Sequence, residues 1–571
     1  MTPTALGIDV GTSRTKVVLT AWGPEGGTDL ATVAGRTPSD AVGLVDRAVE
    51  LTREVLGRAS VRPDAVGVTS MAETGVPLAA DGAPLTALLG WDGRRAVAEA
   101  RDLSEAHGYL ELFRATGVRP SAKVPLATME WLRRHEPAVA AQMAWWAGAA
   151  DLVVLALTGE LVTDHTLAGR TMAYRRPAPG EGLAETFDAD LLALVGLRPA
   201  TLPRVVDPSA VAGRSGWGGA RPAGRPDDGP ARRWRAAGQA FTAAGVPVGT
   251  PVVLAGHDHA VGTWASGVRL PGDRADSIGT TEAVLTVRGA HRPGTADGED
   301  RIALAGMSLV RTVSGRHEAV LAGSSSAGAV LTWLADRGVG GAGAAWPEVS
   351  TDRSGPVVLP YLSGRQTPQP DPAARVRVLE LGPGPGEPAV EVPVDGLGPA
   401  ELAGAVLEGV CLQARWMVVE QGRLSDGAGP APREPGVRGP AGDRSGVMSD
   451  PGRLVVLGGP ALTVPGWADL KVATSPWPSR WVGAPEPVAS GAALLALVRA
   501  GLLGPVDEAL LTAPTLAARE VVGQAPTPDP RFDAFVAAAA HRGRSAAVGP
   551  RAQHRGRQPE EHRGQGGLDE G

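Results

Sequence analysis

The stretch GIDVGTSRTKVVLT, residues 7–20, decides how the rest of the chain is read. An apolar run ends at Gly11, a turn of Gly11, Thr12 and Ser13 follows, and a second apolar run returns from Thr15. Short apolar runs rich in β-branched residues and punctuated by glycine are the mark of buried strands. The pattern recurs at ADSIGTTEAVLTV, residues 275–287, where Gly279, Thr280 and Thr281 answer the first turn. A chain of 571 residues exceeds what one compact core serves, so two large domains are expected. The second copy falls where the second domain should begin. A duplicated α/β unit is therefore the expected architecture, and two related domains facing each other leave a cleft for a ligand.

The turns themselves carry chemistry. Glycine, threonine and serine between two strands expose backbone N–H groups and hydroxyls, the donors that phosphate oxygens need. Asp9 lies two residues before the first turn, where a carboxylate suits Mg²⁺ held through its waters. Other phosphate machinery is excluded. Lys16, Lys123 and Lys471 are the only lysines and none follows a glycine, so there is no P-loop. GVGGAG, residues 338–343, follows a helical pattern rather than a strand and is discounted as a dinucleotide motif.

Composition narrows the class. Apolar residues form 43% of the chain, too many for wholesale disorder. A net charge of −6 gives no reason to expect nucleic acid. Cys411 is the single cysteine, which excludes disulfide scaffolds and cysteine-based zinc sites. It lies on a helical pattern and reads as an inert core residue. No stretch reads as a signal peptide or as the roughly 20 apolar residues of a membrane span. A cytoplasmic protein is expected.

Further elements follow from periodicity. Residues 39–58 read as a helix capped by Ser39 or Asp40, 65–70 as a strand, and Asp81-Gly82 as a hairpin turn. Helices are expected over 327–337, with Ala327, Val330, Leu331 and Leu334 on one face, and over 401–424, with Leu402, Val406, Val410 and Met417. Residues 213–233 read as a loop, 425–452 as a disordered insertion and 546–571 as a polar tail.

GHDHAVGTWASGV, residues 256–268, is the sharpest cluster. TPVVLAGHD, residues 250–258, is a buried-type strand running into it, and a strand-end carboxylate over a cleft suits a general base. His257 and His259 flank Asp258 and raise a metal reading. A first-row metal wants three or four ligands, and no other His-rich motif completes the set, so chelation is the minority reading.

The pieces in order resemble the FGGY carbohydrate kinases, within the actin-like ATPase superfamily. DVGTSRTK (9–16), GVPLAADGAPLTALLGWDGRR (75–95), TGVRPSAKVPLATMEWL (116–132), LTGELVTDHTLAGRT (157–171), GHDHAVGTWASGV, DSIGTTEAVL (276–285), LPYLSGRQTPQPDPAAR (359–375), VLGGPAL (456–462) and ASGAALLALVRAG (489–501) carry the resemblance over almost the whole chain. It implies two actin-like, ribonuclease H-like domains: 1–262 for the sugar and the first phosphate turn, and 263–545 for ATP. It implies that Asp258 takes the proton of the attacking hydroxyl, and that Asp9 and Asp258 attend Mg²⁺. Gly11, Thr12, Ser13, Lys16, Gly279, Thr280 and Thr281 are implied phosphate contacts, with Gly458 and Gly459 lying against adenosine. Met71, Glu73, Trp91 and Asp92 are implied substrate contacts, and Trp91 is equally readable as core.

Departures are plain. Where the glycerol-kinase branch has an arginine before its glutamate, this chain has Ala72 before Glu73. The histidine that xylulokinases carry near Met71 is absent, and Pro460 replaces a small residue of the glycine motif, removing an N–H donor. The resemblance implies ATP-dependent phosphorylation of a small sugar, with a ketose such as xylulose or fuculose first and glycerol, another polyol or gluconate behind. A homodimer stays open; nucleic acid and membrane partners are not expected. The rivals are a sugar- or nucleotide-sensing module without catalysis, which an intact Asp258 argues against, and an actin-like ATPase without sugar dependence.

Overall fold

In a computed structural model the described residues are 2–91, 93, 95–177, 181–217, 231–279, 281–288, 296–341, 344–381, 389–425, 454–459, 463–504, 513–521 and 528–541. Asp92, Arg94, Thr280, Pro460, the tail 546–571, residues 426–452 of the expected insertion and residues 218–230 of the expected loop lie outside them.

Two sheets organise the molecule. The first has the strand order Gly26–Arg36, Arg14–Gly23, Thr4–Val10, Ala65–Ser70, Pro251–His257, Gly213–Arg214. Its first three strands are antiparallel, and Thr4–Val10, Ala65–Ser70 and Pro251–His257 run parallel. All seven residues of Thr4–Val10 and all six of Ala65–Ser70 are buried, which explains their unbroken apolar runs: a parallel sheet is covered on both faces. The helix Ala41–Ala59 covers this sheet with Leu44, Val45, Ala48 and Val55, and the Asp40 carboxylate caps it by accepting the Gly43 N–H at 2.8 Å.

The second sheet has the order Ser308–Arg311, Glu318–Ser324, Glu282–Arg288, Arg274–Ile278, Leu454–Leu457, Ser479–Val482, Ala518–Val521. The duplicated sequence pattern has a duplicated structural counterpart. In each half a strand turns into an antiparallel return strand and pairs in parallel with a later one: Thr4–Val10 with Ala65–Ser70, and Arg274–Ile278 with Leu454–Leu457. This is the actin-like, ribonuclease H-like arrangement.

The helix Pro399–Ser425 departs from the sequence reading. By length and composition it is apolar enough to cross a membrane, with a hydropathy of 1.4, contrary to expectation. It is instead a core helix, 89% buried over its apolar window. Its polar residues find internal partners: Gln421 donates to the carbonyls of Val284 and Val320 at 2.8 and 3.0 Å, and Gln413 donates to that of Thr367 at 2.6 Å. Cys411 on this helix is buried, and burial pushes its thiol up to about 11.

A second helix, Pro487–Arg499, joins the halves. In the chain it lies between Ser479–Val482 and Ala518–Val521 of the second sheet, but it packs across the first. A Cβ on Gly7 would sit 1.9 Å from the carbonyl oxygen of Ala489, and one on Gly67 would sit 2.0 Å from that of Ala492. Helix backbone therefore rests directly on sheet backbone, and any side chain at either position would force them apart. The helix Asp258–Ala265, which spans the division expected at residue 262, packs against the same element: a Cβ on Gly491 would meet that of Ala265 at 2.8 Å. Gly67→Ala should cost about 3 kcal/mol, the upper end of overpacking penalties. Urea unfolding checks this, and a midpoint equal to that of the parent protein would contradict the close approach.

Candidate active site

The three parallel strands of the first sheet end side by side, so the segments that follow them converge. These are the Gly11–Ser13 turn, the segment Met71–Glu73, and Asp258. Ligands of open parallel sheets characteristically bind beyond such carboxyl ends.

Asp258 opens the helix Asp258–Ala265 at the end of Pro251–His257. Its Oδ1 accepts the N–H of His259 at 2.7 Å and stands 3.2 Å from His257 Nε2 and 3.9 Å from His259 Nε2. Among the described residues no hydrogen bond is made to Oδ2. The side chain is 20% exposed, so one carboxylate oxygen is oriented by protein and the other is left toward solvent. Burial pushes His257 down to about 4 despite Asp258 pulling it up, so the imidazole is neutral at physiological pH. The donor atoms of His257, Asp258 and His259 lie within 4.8 Å of one another, a set able to gather a divalent ion. The group has no fourth member among the described residues, as a closed structural zinc site would require.

Asp9 is buried at the end of the first strand. Burial pushes it from 3.8 up to about 7; Lys16 works against this, while Asp258 and Glu486 add to it. Lys16 Nζ lies 3.9 Å from Asp9 Oδ2 and 2.6 Å from Glu486 Oε2. Burial disfavours the Lys16 ammonium, but Asp9 and Glu486 outweigh it and hold its pKa above the ordinary value. Among the described residues the buried Asp9 Oδ1 has no hydrogen-bond partner, in a site with more than one carboxylate. A hydrated divalent cation between Asp9 and Asp258 fits that donor set.

Glu73, after the strand between those of Asp9 and Asp258, adopts a left-handed backbone, φ 64°, uncommon for a residue with a side chain and a feature that clusters at functional sites. Its Oε1 accepts from Arg170 Nε and Nη2 at 3.0 and 2.5 Å. Arg119 lies close enough to feel both charges. Burial holds it below its ordinary value, the Tyr109 hydroxyl being its favourable neighbour. Trp91 Nε1 donates to Thr12 Oγ1 at 2.8 Å, which ties the Gly11–Ser13 turn to this segment, and Lys123 Nζ sits 4.7 Å over the Trp91 ring. Met71 is buried and belongs to the hydrophobic core beneath. Thr12 and Ser13 are exposed at the tip of the first turn.

The second turn begins at Gly279, whose N–H donates to the Thr281 carbonyl at 2.8 Å. Gly458 and Gly459 follow the neighbouring parallel strand, and a Cβ on Gly459 would meet the carbonyl oxygen of Ile278 at 3.1 Å. The adjoining strand ends bring these turns together. The register of the acid differs between the halves. Asp9 precedes its glycine by two residues and Asp276 by three, and a one-residue shift sends a strand side chain to the opposite face. Asp276 is accordingly fully buried, 2.6 Å from Lys471 Nζ, which also pairs with Glu282 at 3.1 Å.

Three residues of this region escaped the sequence reading. Arg170 lies in a segment that carries the family resemblance, but nothing local aims it at Glu73 across 97 residues of chain. Glu486 precedes Pro487, a helix-start signal, while its pairing with Lys16 depends on how the halves dock. Asp164 caps the short helix His165–Ala168, and its long-range partners are equally invisible locally.

Two actin-like domains, with Asp9 and Asp258 at the carboxyl ends of parallel strands in the first, fit a phosphotransferase class. Comparisons narrow it. Residues 4–226 match the N-terminal domain, and 277–500 the C-terminal domain, of the FGGY family of carbohydrate kinases. A glycerol kinase from Aromatoleum aromaticum is 27% identical over 451 residues, covering 74% of this chain and 80% of its own. A xylulose kinase from Streptomyces coelicolor is 30% identical over 221 residues, 37% of this chain and 44% of its own. The solved gluconate kinase of Lactobacillus acidophilus superposes with a TM-score of 0.66 at 18% identity, covering 94% of this chain and 96% of that one. The chain belongs to the FGGY family of carbohydrate kinases, phosphotransferases with an alcohol group as acceptor.

The raised Asp9 predicts a pH signature. A carboxyl whose pKa is higher folded than unfolded binds its proton more tightly in the native state. Its contribution to stability is therefore present at low pH and is lost as pH rises from about 4 to about 7. A cation that replaces the proton restores it. Mg²⁺ should raise the urea midpoint more at pH 8 than at pH 5.5, and Asp9→Asn should remove the difference. Equal Mg²⁺ shifts at both pH values would exclude Asp9 as a ligand.

Proposed function

We propose that the protein phosphorylates a small neutral sugar from ATP, with Asp258 as general base and a ketose as the preferred substrate. The observation that carries this reading is the Asp258 carboxylate at the carboxyl end of a parallel strand, with Oδ1 held by the His259 N–H and Oδ2 open. The substrate hydroxyl attacks the γ-phosphorus of ATP, a new O–P bond forms, and the β–γ bridging P–O bond breaks to leave ADP. The hydroxyl proton passes to Asp258. Phosphoryl transfer is loose, so deprotonation comes late and positioning supplies most of the rate.

The division of labour follows the two halves. The N-terminal half supplies Glu73, Trp91 and Asp258 to the sugar, with Met71 beneath; Asp92, a further candidate by resemblance, lies outside the described residues. Thr12, Ser13 and Lys16 would serve the phosphates from this side, with Gly279 and Thr281 from the second half and Gly458 and Gly459 toward adenosine; Thr280, a further candidate by resemblance, lies outside the described residues. Asp9 and Asp258 would hold Mg²⁺, which when bound neutralises charge on the phosphate oxygens. The neutral His257 keeps a second positive charge away from the base.

A second reading, a glycerol-like polyol, is favoured by one observation. Although residue 72 is alanine, Arg170 sets a guanidinium beside the Glu73 carboxylate from another element. ADP release over xylulose, fuculose, glycerol and gluconate separates the readings, and ADP release independent of any of them would support an ATPase instead. Asp258→Asn should lower kcat by about 10²- to 10⁴-fold, the usual worth of a general base, with ATP affinity within about twofold. Near-normal turnover in that variant would defeat the assignment.

A further inference from the structure

We propose that Asp164 is a positioning residue that couples the second domain to the backbone carrying Asp258; the inference rests on the reading of Asp258 as the base. Asp164 ends the strand Val162–Asp164 and is fully buried. Its Oδ1 accepts both the N–H and the hydroxyl of Thr166, at 2.7 and 2.5 Å. With its proton committed to Asp164, Thr166 Oγ1 presents a lone pair, and it accepts the N–H of His257 at 2.8 Å. The carbonyl of the same peptide unit, that of Gly256, accepts from Thr69 Oγ1 at 2.7 Å. The peptide immediately before the His257–Asp258 pair is thus gripped at both ends.

Glycine at 256 makes this grip possible. Its φ is +122°, and a Cβ there would lie 2.4 Å from Thr166 Oγ1 and 2.7 Å from Asp164 Oδ1. The strand is admitted directly against the two side chains that hold it.

The other oxygen of Asp164 looks toward the second half. Oδ2 lies 3.3 Å from His165 Nδ1 and 3.8 Å from Arg499 Nη2. His165 Nε2 is 2.9 Å from the carbonyl oxygen of Thr312. Arg499 ends the helix Pro487–Arg499, donates to the carbonyl of Leu254 at 2.9 Å and reaches that of Val313 at 3.5 Å. Displacement of the second half therefore changes the partners of Asp164, and through Thr166 the orientation of the peptide that leads into Asp258. His165 and Arg499 also hold the Asp164 carboxyl below its ordinary range against the opposing effect of burial. A misplacement of the base by a fraction of an ångström is enough to depress turnover without altering substrate contacts.

The test uses steady-state kinetics of the full chain with the sugar it accepts. Asp164→Asn keeps the size and loses the charge that faces Arg499. Its kcat should fall about 10- to 100-fold with the KM for sugar and ATP within about threefold. Thr166→Val should do the same, and Thr166→Ser, which keeps the hydroxyl, should restore kcat to within about threefold. Combining Asp164→Asn with Arg499→Gln should lower kcat no further than the worse single variant, because residues in one network are non-additive. Undiminished kcat in folded Asp164→Asn, equal damage from Ser and Val at 166, or multiplicative losses in the double variant would each overturn the proposal. If Asp164→Asn fails to fold, the Thr166 pair decides. Asp258→Asn is run alongside: turnover surviving there defeats the base assignment, whereas turnover surviving in Asp164→Asn defeats only the positioning role.

Discussion

Backbone contact between the helix Pro487–Arg499 and the first sheet is the constraint on which the rest depends. Gly7 and Gly67 sit on adjacent parallel strands, in register with each other, and each leaves room for a helix carbonyl. Once the helix is seated, its two ends reach functional groups of the other half. Glu486 at the start meets Lys16 beside Asp9, and Arg499 at the end meets Asp164 behind the Asp258 strand. Ser490 hydrogen-bonds Asp29 at 3.1 Å along the way. One packing decision thus sets Glu486 beside Lys16 and buries Arg499 near Asp164.

Burial sets the electrostatics that follow. Asp9 has lost solvent, has Lys16 as its cation at 3.9 Å, and shares that cation with Glu486, so its carboxyl rises toward neutrality. A group in that state is ready to exchange a proton for a divalent ion. Asp276 in the second half sits in a similar strand–turn–strand frame but one residue out of register. It is closed off with Lys471 and Glu282, where the ion pair consolidates a core and reaches no ligand. The duplicated frame therefore keeps its strand–turn–strand form in both copies, while the acid stands two residues before the glycine in one and three before it in the other.

Much of this was legible before any coordinates. The buried strands 4–10, 14–23, 65–70, 251–257 and 274–278 follow from apolar runs broken by glycine, because a sheet covered on both faces leaves no polar alternation to read. Asp40 as a cap and the helix around Cys411 follow from local rules. The apolar length of that helix was missed because Glu408, Gln413, Arg415 and Gln421 interrupt its pattern, and only their internal partners show that they belong to a core. The Glu73–Arg170 pair was missed for a related reason: the guanidinium looked for at residue 72 arrives from a different element.

The linear order of residues carried the family resemblance and the doubled strand–turn–strand frame, and singled out Asp258 as the candidate base, since these rest on spacing within a few residues. Tertiary packing settled what those residues experience: the neutral His257, the raised Asp9, the pairing of Lys16 with Glu486 and the hold of Asp164 on the peptide before His257. These depend on solvent exclusion and on partners distant in the chain: Lys16 meets Glu486, and Asp164 meets Arg499, across hundreds of residues. Distance and dielectric are properties of packing, and no local pattern encodes them.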